Sequence, residues 1–344
     1  MRLLMITRKV DRSDGLAGFV YNWVEKIGGQ VETLYVITWQ PSDRGSLPPN
    51  IKIINLPQNK FFKIFSLKWQ ALKILPKVEG VFCHMNPEYT LIVGPLARLM
   101  GKRVVSWYMH SAVTWRMKLM EKIANRVLSA SKESFRLTSK KLVVTGHGID
   151  IERFKPALVM NQSTTFDLLT VGRVSPTKDY ESMIKAVDIL VDGGLKNVTL
   201  SIIGDAGLKI QVEYLTGLKQ MVSAMKLESQ VKFLGSVANS SIPQYLRKAD
   251  VFINLSGTGS LDKAVLEAMA CGCLVLTSNE AFAGILPSEL MVAPNQPKAL
   301  AEKIKWLSSL TPDVKDRWRE RLRQEVVDNH NLDNLVQKII TQFK

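Results

Sequence analysis

Thr170-Val-Gly-Arg173-Val-Ser-Pro-Thr-Lys178-Asp-Tyr180 decides the fold. An apolar strand, Phe166–Val171, runs into Gly172. Arg173 and Lys178 follow in the loop, and a helical pattern starts at Tyr180. Strand, loop and helix in this order make half of a βαβ unit, whose ligands collect beyond the strand's carboxyl end. The helix start adds unpaired N–H groups and partial positive charge. Arg supplies a planar fork and Lys a point charge, so the loop suits a diphosphate. The same two cations also fit an ordinary solvated loop.

The alternation continues on both sides. Downstream lie strands at 198–204, 231–234 (closed by Gly235), 250–255 and 274–277. Helical patterns cover 180–191, 211–225, 242–248, 262–270, 298–307, 314–324 and 332–343. Upstream, strands read at 3–6, 31–37, 51–56, 80–84, 103–108 and 141–145, with helices at 19–27 and 90–99; Gly101 caps the second. Such alternation predicts an α/β fold: two doubly wound parallel sheets, helices on both faces. Gly146-His-Gly-Ile-Asp150-Ile-Glu-Arg-Phe154-Lys-Pro156 and the polar residues 161–165 break it. The expected domains are therefore 1–155 and 156–325, before a final segment, 326–344.

A chain of 344 residues is long enough for two such cores. With 46% hydrophobic residues and no low-complexity tract it is not a disordered chain. No apolar run approaches the roughly 20 residues of a membrane span. The first eight residues read as a strand, not a signal peptide. Cys83, Cys271 and Cys273 lack zinc or redox spacing and read as small apolar residues of a reducing, cytoplasmic compartment.

Charge separates the halves. Residues 1–156 hold 25 Lys and Arg against 11 Asp and Glu; the rest hold 21 and 20. Arg44–Val78 contains no acid, and Lys60, Lys63, Lys68, Lys73 and Lys77 alternate there with Phe61, Phe62, Phe65 and Trp69. Lysines among rings suit the inner face of an anionic membrane, to which the protein would bind peripherally. They equally suit a helix whose basic face is solvated. No nucleic-acid motif accompanies them, and no nucleic-acid partner is expected.

A second motif is Asn254-Leu-Ser-Gly-Thr-Gly-Ser-Leu-Asp262-Lys263-Ala-Val-Leu-Glu267-Ala-Met-Ala-Cys-Gly272. The small-residue loop Ser256–Ser260 lets backbone N–H groups approach a ligand. Ser260 or Asp262 can cap the helix. Glu267, between apolar neighbours, needs a partner. Vicinal ribose hydroxyls would supply one; so would a neighbouring Lys.

Together these segments resemble the retaining family-four glycosyltransferases of the GT-B fold. The matched pieces are Val171–Lys178, Ile202-Ile-Gly-Asp-Ala-Gly207, Val231–Gly235, Ala249–Asn254 and Val265–Gly272. Gly148–Phe154 matches the domain-junction phrase. The first half matches more loosely, through its first strand, the Gly15/Gly18 loop and His110.

The resemblance implies two Rossmann-like domains facing across a cleft, with C-terminal helices crossing back to the first. It implies transfer from a nucleoside-diphosphate sugar, the co-substrate, to a glycan or lipid-linked acceptor, with retention and without metal or other cofactor. Arg173, Lys178 and His110 carry the catalytic roles. Gly15, Gly18, Gly172, Gly235, Val237, Ser260, Leu261, Asp262 and Lys263 line the donor, and Glu267 binds its ribose. One departure stands out: the family's sugar-contacting Glu, eight positions before the ribose Glu, is Gly259 here, with Asp262 as a substitute carboxylate nearby. That departure also fits a degenerate member that binds a sugar nucleotide or partner without transfer. A sugar-nucleotide epimerase of the same fold is the other alternative, which the basic first half opposes.

Overall fold

The computed structural model describes residues 1–12, 14, 18–157 and 164–344. Gly15 and linker residues 161–163 lie outside these, as do the side chains of Lys60 and Phe61. The chain forms two compact units, Met1–Asp150 with Asn331–Lys344, and Ile151–His330.

Unit 1 carries a seven-stranded sheet among its described residues, in the order β3-β2-β1-β4-β5-β6-β7. The strands are β1 (Arg2–Thr7), β2 (Thr33–Thr38), β3 (Ile51–Asn55), β4 (Gly80–His84), β5 (Arg103–Trp107), β6 (Arg126–Ser129) and β7 (Leu142–Val144). Every pairing is parallel. Leu3, Leu4, Met5 and Ile6 are all buried because helices cover both faces.

Helices α1 (Gly18–Gly28), α2 (Lys60–Ile74), α3 (Pro87–Leu99) and α4 (Trp115–Ile123) connect the strands. The crossovers β3→β4, β4→β5 and β5→β6 step across the sheet in one direction. Right-handedness therefore places α2, α3 and α4 on one face. There Leu67, Ala71 and Ile74 of α2 meet Tyr89, Val93 and Ala97 of α3 over Leu4, Ile6 and Val81. Met117 and Met120 of α4 join Phe135 and Val127. Lys63, expected among the outward lysines, is instead buried: its Nζ lies 5.1 Å over the Trp39 ring and donates to Gln58 at 3.4 Å.

The opposite face holds α1 and the last helix, α11 (Leu332–Thr341). The Leu332 N–H donates to the Ile149 carbonyl at 2.9 Å, and Lys26 pairs with Asp333 at 2.8 Å. Gly148, at φ +81°, admits this helix; a Cβ there would lie 2.3 Å from a Leu335 methyl.

Unit 2 holds a parallel sheet ordered β10-β9-β8-β11-β12. These are β8 (Phe166–Val171), β9 (Val198–Ile203), β10 (Val231–Gly235), β11 (Val251–Asn254) and β12 (Leu274–Thr277). Helices α5 (Tyr180–Asp192), α6 (Lys209–Ala224), α7 (Ile242–Lys248), α8 (Lys263–Ala270), α9 (Pro297–Ser309) and α10 (Pro312–Asn329) surround it. The strand order reverses direction between β8 and β11, which makes that pair the unit's topological switch point.

The units divide after Asp150, not after residue 155. Phe154 is buried in unit 2, where Arg153 bonds Asn239 Oδ1 at 2.7 Å and Arg247 bonds the Arg153 carbonyl at 2.8 Å. The return to unit 1 starts at Asn331, not 326, because α10 runs unbroken to Asn329 with Leu322 and Val326 buried.

Candidate functional site

The switch point of unit 2 gathers both motifs. Beyond β8 the chain turns through Gly172 and Arg173 into a single 3-10 turn, Pro176–Lys178, before α5. The buried Tyr180 hydroxyl donates to the carbonyls of Gly172 (3.2 Å) and Arg173 (3.3 Å), which fixes the loop. Burial raises the pKa of that phenol well above its usual value. Gly204, at φ +145°, abuts the same loop: a Cβ there would stand 1.8 Å from the Gly172 carbonyl oxygen. Only glycine lets the ends of β8 and β9 close this tightly.

Lys178 does not stand alone. Its Nζ lies 2.5 Å from Asp262 Oδ2, and Asn254 Nδ2, at the end of β11, donates to the same oxygen at 2.9 Å. Burial pushes the Asp262 pKa up, but the Lys178 charge and these hydrogen bonds outweigh it and hold the carboxyl below the usual range. Asp262 occupies the N-cap position of α8, yet its side chain makes no cap hydrogen bond. Its Oδ2 is taken by Lys178 and Asn254, and the backbone of Ala264 in the first turn also favours the charged carboxyl. The Gly257 N–H reaches the Thr177 carbonyl at 3.1 Å, so the two loops form one wall.

One turn along α8, the buried Glu267 accepts a hydrogen bond from Lys263. Lys263 Nζ also lies 5.4 Å over the Phe154 ring. Of the two partners open to Glu267, the structure thus supplies the neighbouring Lys. Arg173 is exposed, and among the described residues its guanidinium makes no ion pair or hydrogen bond. Ser260 is half-buried and its carbonyl accepts from Asn279 at 2.7 Å. Leu261 is buried, so only its backbone can face a ligand. Gly259 sits at φ +63°. Gly235, at the end of β10, accepts from the Gly204 N–H at 2.8 Å, and Val237 follows half-buried.

Of the cations on this wall, Lys178 is paired with Asp262 and Lys263 with Glu267, which leaves Arg173 as the one without a carboxylate partner among the described residues. A cavity of about 300 Å³ lies elsewhere, near Arg247, Asp250, Gly272 and Arg323, before the amino ends of β11 and β12. It is the wrong end of a doubly wound sheet for a ligand. Its arginines are already committed, Arg247 to the carbonyls of Arg153 and Lys155, Arg323 to those of Phe154 and Ala270, and Arg319 to the carboxylates of Asp316 and Asp250.

In unit 1, His110 is exposed in the loop beyond β5. Its N–H donates to the Ser134 carbonyl at 3.0 Å and its Nδ1 accepts from Ala112 at 3.2 Å. Gly18 is buried at the start of α1 and bonds the Asp14 carbonyl at 2.8 Å. Lys9 pairs with Asp11 and Asp14, both at 2.8 Å, and these hydrogen bonds raise its pKa.

Two groups were not singled out from sequence. Asn254 heads the second motif but was given no role there; only the fold turns its side chain toward Asp262. His84 ended a strand pattern. It lies at the β1/β4 switch point with Nδ1 3.0 Å from the Thr7 hydroxyl and its ring 5.0 Å from that of Trp23. Burial lowers its pKa to about 3, so it is neutral at physiological pH.

Comparison with known proteins agrees with this layout. The chain is 24% identical over 180 residues to a phosphatidylinositol N-acetylglucosaminyltransferase component of Arabidopsis thaliana, covering 52% of this chain and 39% of that protein. It is 24% identical over 238 residues to the UDP-Gal:alpha-D-GlcNAc-diphosphoundecaprenol alpha-1,3-galactosyltransferase of Escherichia coli, 60% of each. The chain spans less than two thirds of the length of these curated relatives. The fold superimposes on Anabaena Alr3699/HepE, solved in complex with UDP, with a TM-score of 0.81, 16% identity and 99% of both chains covered. These neighbours share the GT-B fold. Residues 151–325 match the family described as Glycosyl transferases group 1. With half its length matched, and with that half holding the Arg173, Lys178 and Glu267 motifs, the chain belongs to the group 1 glycosyltransferases.

Proposed function

We propose that the protein transfers a sugar from a nucleoside-diphosphate sugar to a lipid-linked or glycan acceptor, with retention and without a metal. The observation that carries this reading is the meeting of Lys178 and Asp262, from the loops beyond β8 and β11, at the sheet's switch point. Arg173, Lys178 and Lys263, with the starts of α5 and α8, would neutralise the leaving diphosphate; fixed donors aimed at developing charge are the largest catalytic term in many enzymes. Gly172, Gly235, Val237, Ser260 and Leu261 would line the donor, and Glu267 would bind its ribose, exchanging part of its bond with Lys263 for the vicinal hydroxyls. Asp262 would take over sugar contacts from the carboxylate missing at Gly259. His110 keeps the catalytic role that the resemblance gives it. Support for the donor and acceptor classes comes from the relatives' names, one with a UDP-sugar and a diphosphoundecaprenol acceptor, another with a phosphatidylinositol.

A second reading, a protein that binds a sugar nucleotide without transfer, is motivated by Gly259 in place of the sugar-contacting carboxylate, and the Lys178–Asp262 pair fits it as well. Incubation with UDP-, GDP- and ADP-sugars separates the two. Slow release of nucleoside diphosphate from one of them is expected. Binding without any release would leave only the second reading.

A further inference from the structure

An ordinary surface helix has one apolar stripe, turned to the core. Helix α2 has two. Leu67, Ala71 and Ile74 form the buried one, with Lys63 buried in line with them. Phe62, Phe65, Trp69 and Leu72 recur at the same helical spacing on the outer side, and they are 64%, 69%, 50% and 44% exposed. Helix α4 repeats the pattern: Met117 and Met120 are buried, while Trp115 (67%) and Leu119 (40%) are exposed. Both helices lie on one face of the same sheet with α3 packed between them. Their buried sides face that sheet, so both outer stripes face away from it. At the end of α3 between them, Leu99 is 88% exposed.

We propose that the outer faces of α2 and α4 form a single docking surface for an anionic lipid bilayer. The charges select this occupant. Lys68, Lys73 and Lys77 border the α2 stripe, and Lys118 and Lys122 border that of α4; all five are exposed. Acids are few: α2 has none, and on α3 and α4 Glu88 is paired with Arg116 and Glu121 accepts from Ser139. Lysine is depleted from protein–protein interfaces. Lysine beside Trp and Phe is the composition of a helix lying at the lipid headgroups. Lys73 Nζ stands 4.9 Å over the Trp69 ring, so ring and charge leave the helix together, as a headgroup-level anchor requires. No helix among the described residues is long and apolar enough to cross a bilayer, so α2 and α4 would lie in its surface. The surface stands on unit 1 alone; its use in catalysis rests on the lipid-linked acceptor proposed above.

The test is co-sedimentation of the full chain with vesicles of phosphatidylcholine, with and without phosphatidylglycerol. The protein should pellet with the anionic vesicles only, and less so at high salt. Lys68→Glu with Lys73→Glu should lower partitioning by at least about twentyfold, from roughly fivefold per lysine removed. Phe65→Ser with Trp69→Ser, and separately Trp115→Ser with Leu119→Ser, should each lower it at least tenfold. The Tm should stay within about 2 °C of wild type, since these side chains are exposed and lie outside the buried clusters of unit 1. Absence of pelleting with anionic vesicles overturns the proposal, as does unchanged partitioning of the α4 variant. A wild-type dimer in sedimentation velocity that these substitutions dissociate, without vesicle binding, would assign the face to a second copy. Donor turnover without lipid is read separately, so a protein that docks but never turns over donor fails the proposed function and not this one.

Discussion

Lys178 Nζ and Asp262 Oδ2 are 2.5 Å apart, so the cation that follows β8 is matched by a carboxylate that follows β11. Both side chains are less than one fifth exposed. Lys178→Ala should therefore cost about 1–3 kcal/mol, because it leaves Asp262 without its partner. Adding Asp262→Asn should recover part of that loss, with a coupling of about 0.5–3 kcal/mol in a double-mutant cycle by urea unfolding. The pairing also predicts a pH dependence. The Asp262 carboxyl titrates below its ordinary 3.8 when folded, so the pair stabilises the protein fully above that value. The stabilisation is lost as pH falls through 3.8 and then through the lower folded value. The Tm gap between wild type and Asp262→Asn should be constant near neutrality and close in acid. A gap that does not change with pH would deny the ion pair.

Arg173 behaves oppositely. It is exposed and unpaired among the described residues, so Arg173→Ala should leave the Tm within about 2 °C. Donor affinity should nevertheless fall about ten- to hundredfold, the loss of one charge-assisted contact of roughly 1.5–3 kcal/mol. Normal turnover in this variant would move the diphosphate elsewhere.

Glu267→Gln keeps shape but removes the charge shared with Lys263. Affinity for a ribonucleoside diphosphate should drop roughly tenfold, and that for its 2′,3′-dideoxy analogue should not change. Equal losses for both ligands, measured by calorimetric titration, would make Glu267 a structural partner of Lys263 alone.

Gly259 holds φ +63°, a region that costs a side chain about 1–2 kcal/mol. Gly259→Ala should lower the Tm and leave donor choice intact. Gly259→Glu should lower it similarly and shift preference across a panel of sugar nucleotides. Identical selectivity in the two variants would remove this loop from the sugar.

Most of the alternation was legible because strands buried on both faces leave continuous apolar runs, as at 3–6 and 251–253. Helix α4 and strand β6 were not. Trp115 and Leu119 point outward, which spoils the amphipathic pattern of α4, and β6 is only Arg126–Ser129. Arg173, Lys178, Asp262 and Glu267 could be picked out by type, each beside an ordinary structural alternative, and their roles came only from the resemblance. The pairing of Lys178 with Asp262 was not legible, since the two stand 84 residues apart in the chain and meet only through the order β8-β11. Lys63 read as a surface charge; only packing against Trp39 shows its stem buried.

The most direct test of a donor site beyond β8 and β11 is calorimetric titration of UDP, GDP and ADP into wild type, Arg173→Ala and Glu267→Gln. The account predicts that one of the three binds wild type at one site per chain and binds each variant at least about tenfold more weakly. Binding of none of them, or equal affinity in all three proteins, would contradict it.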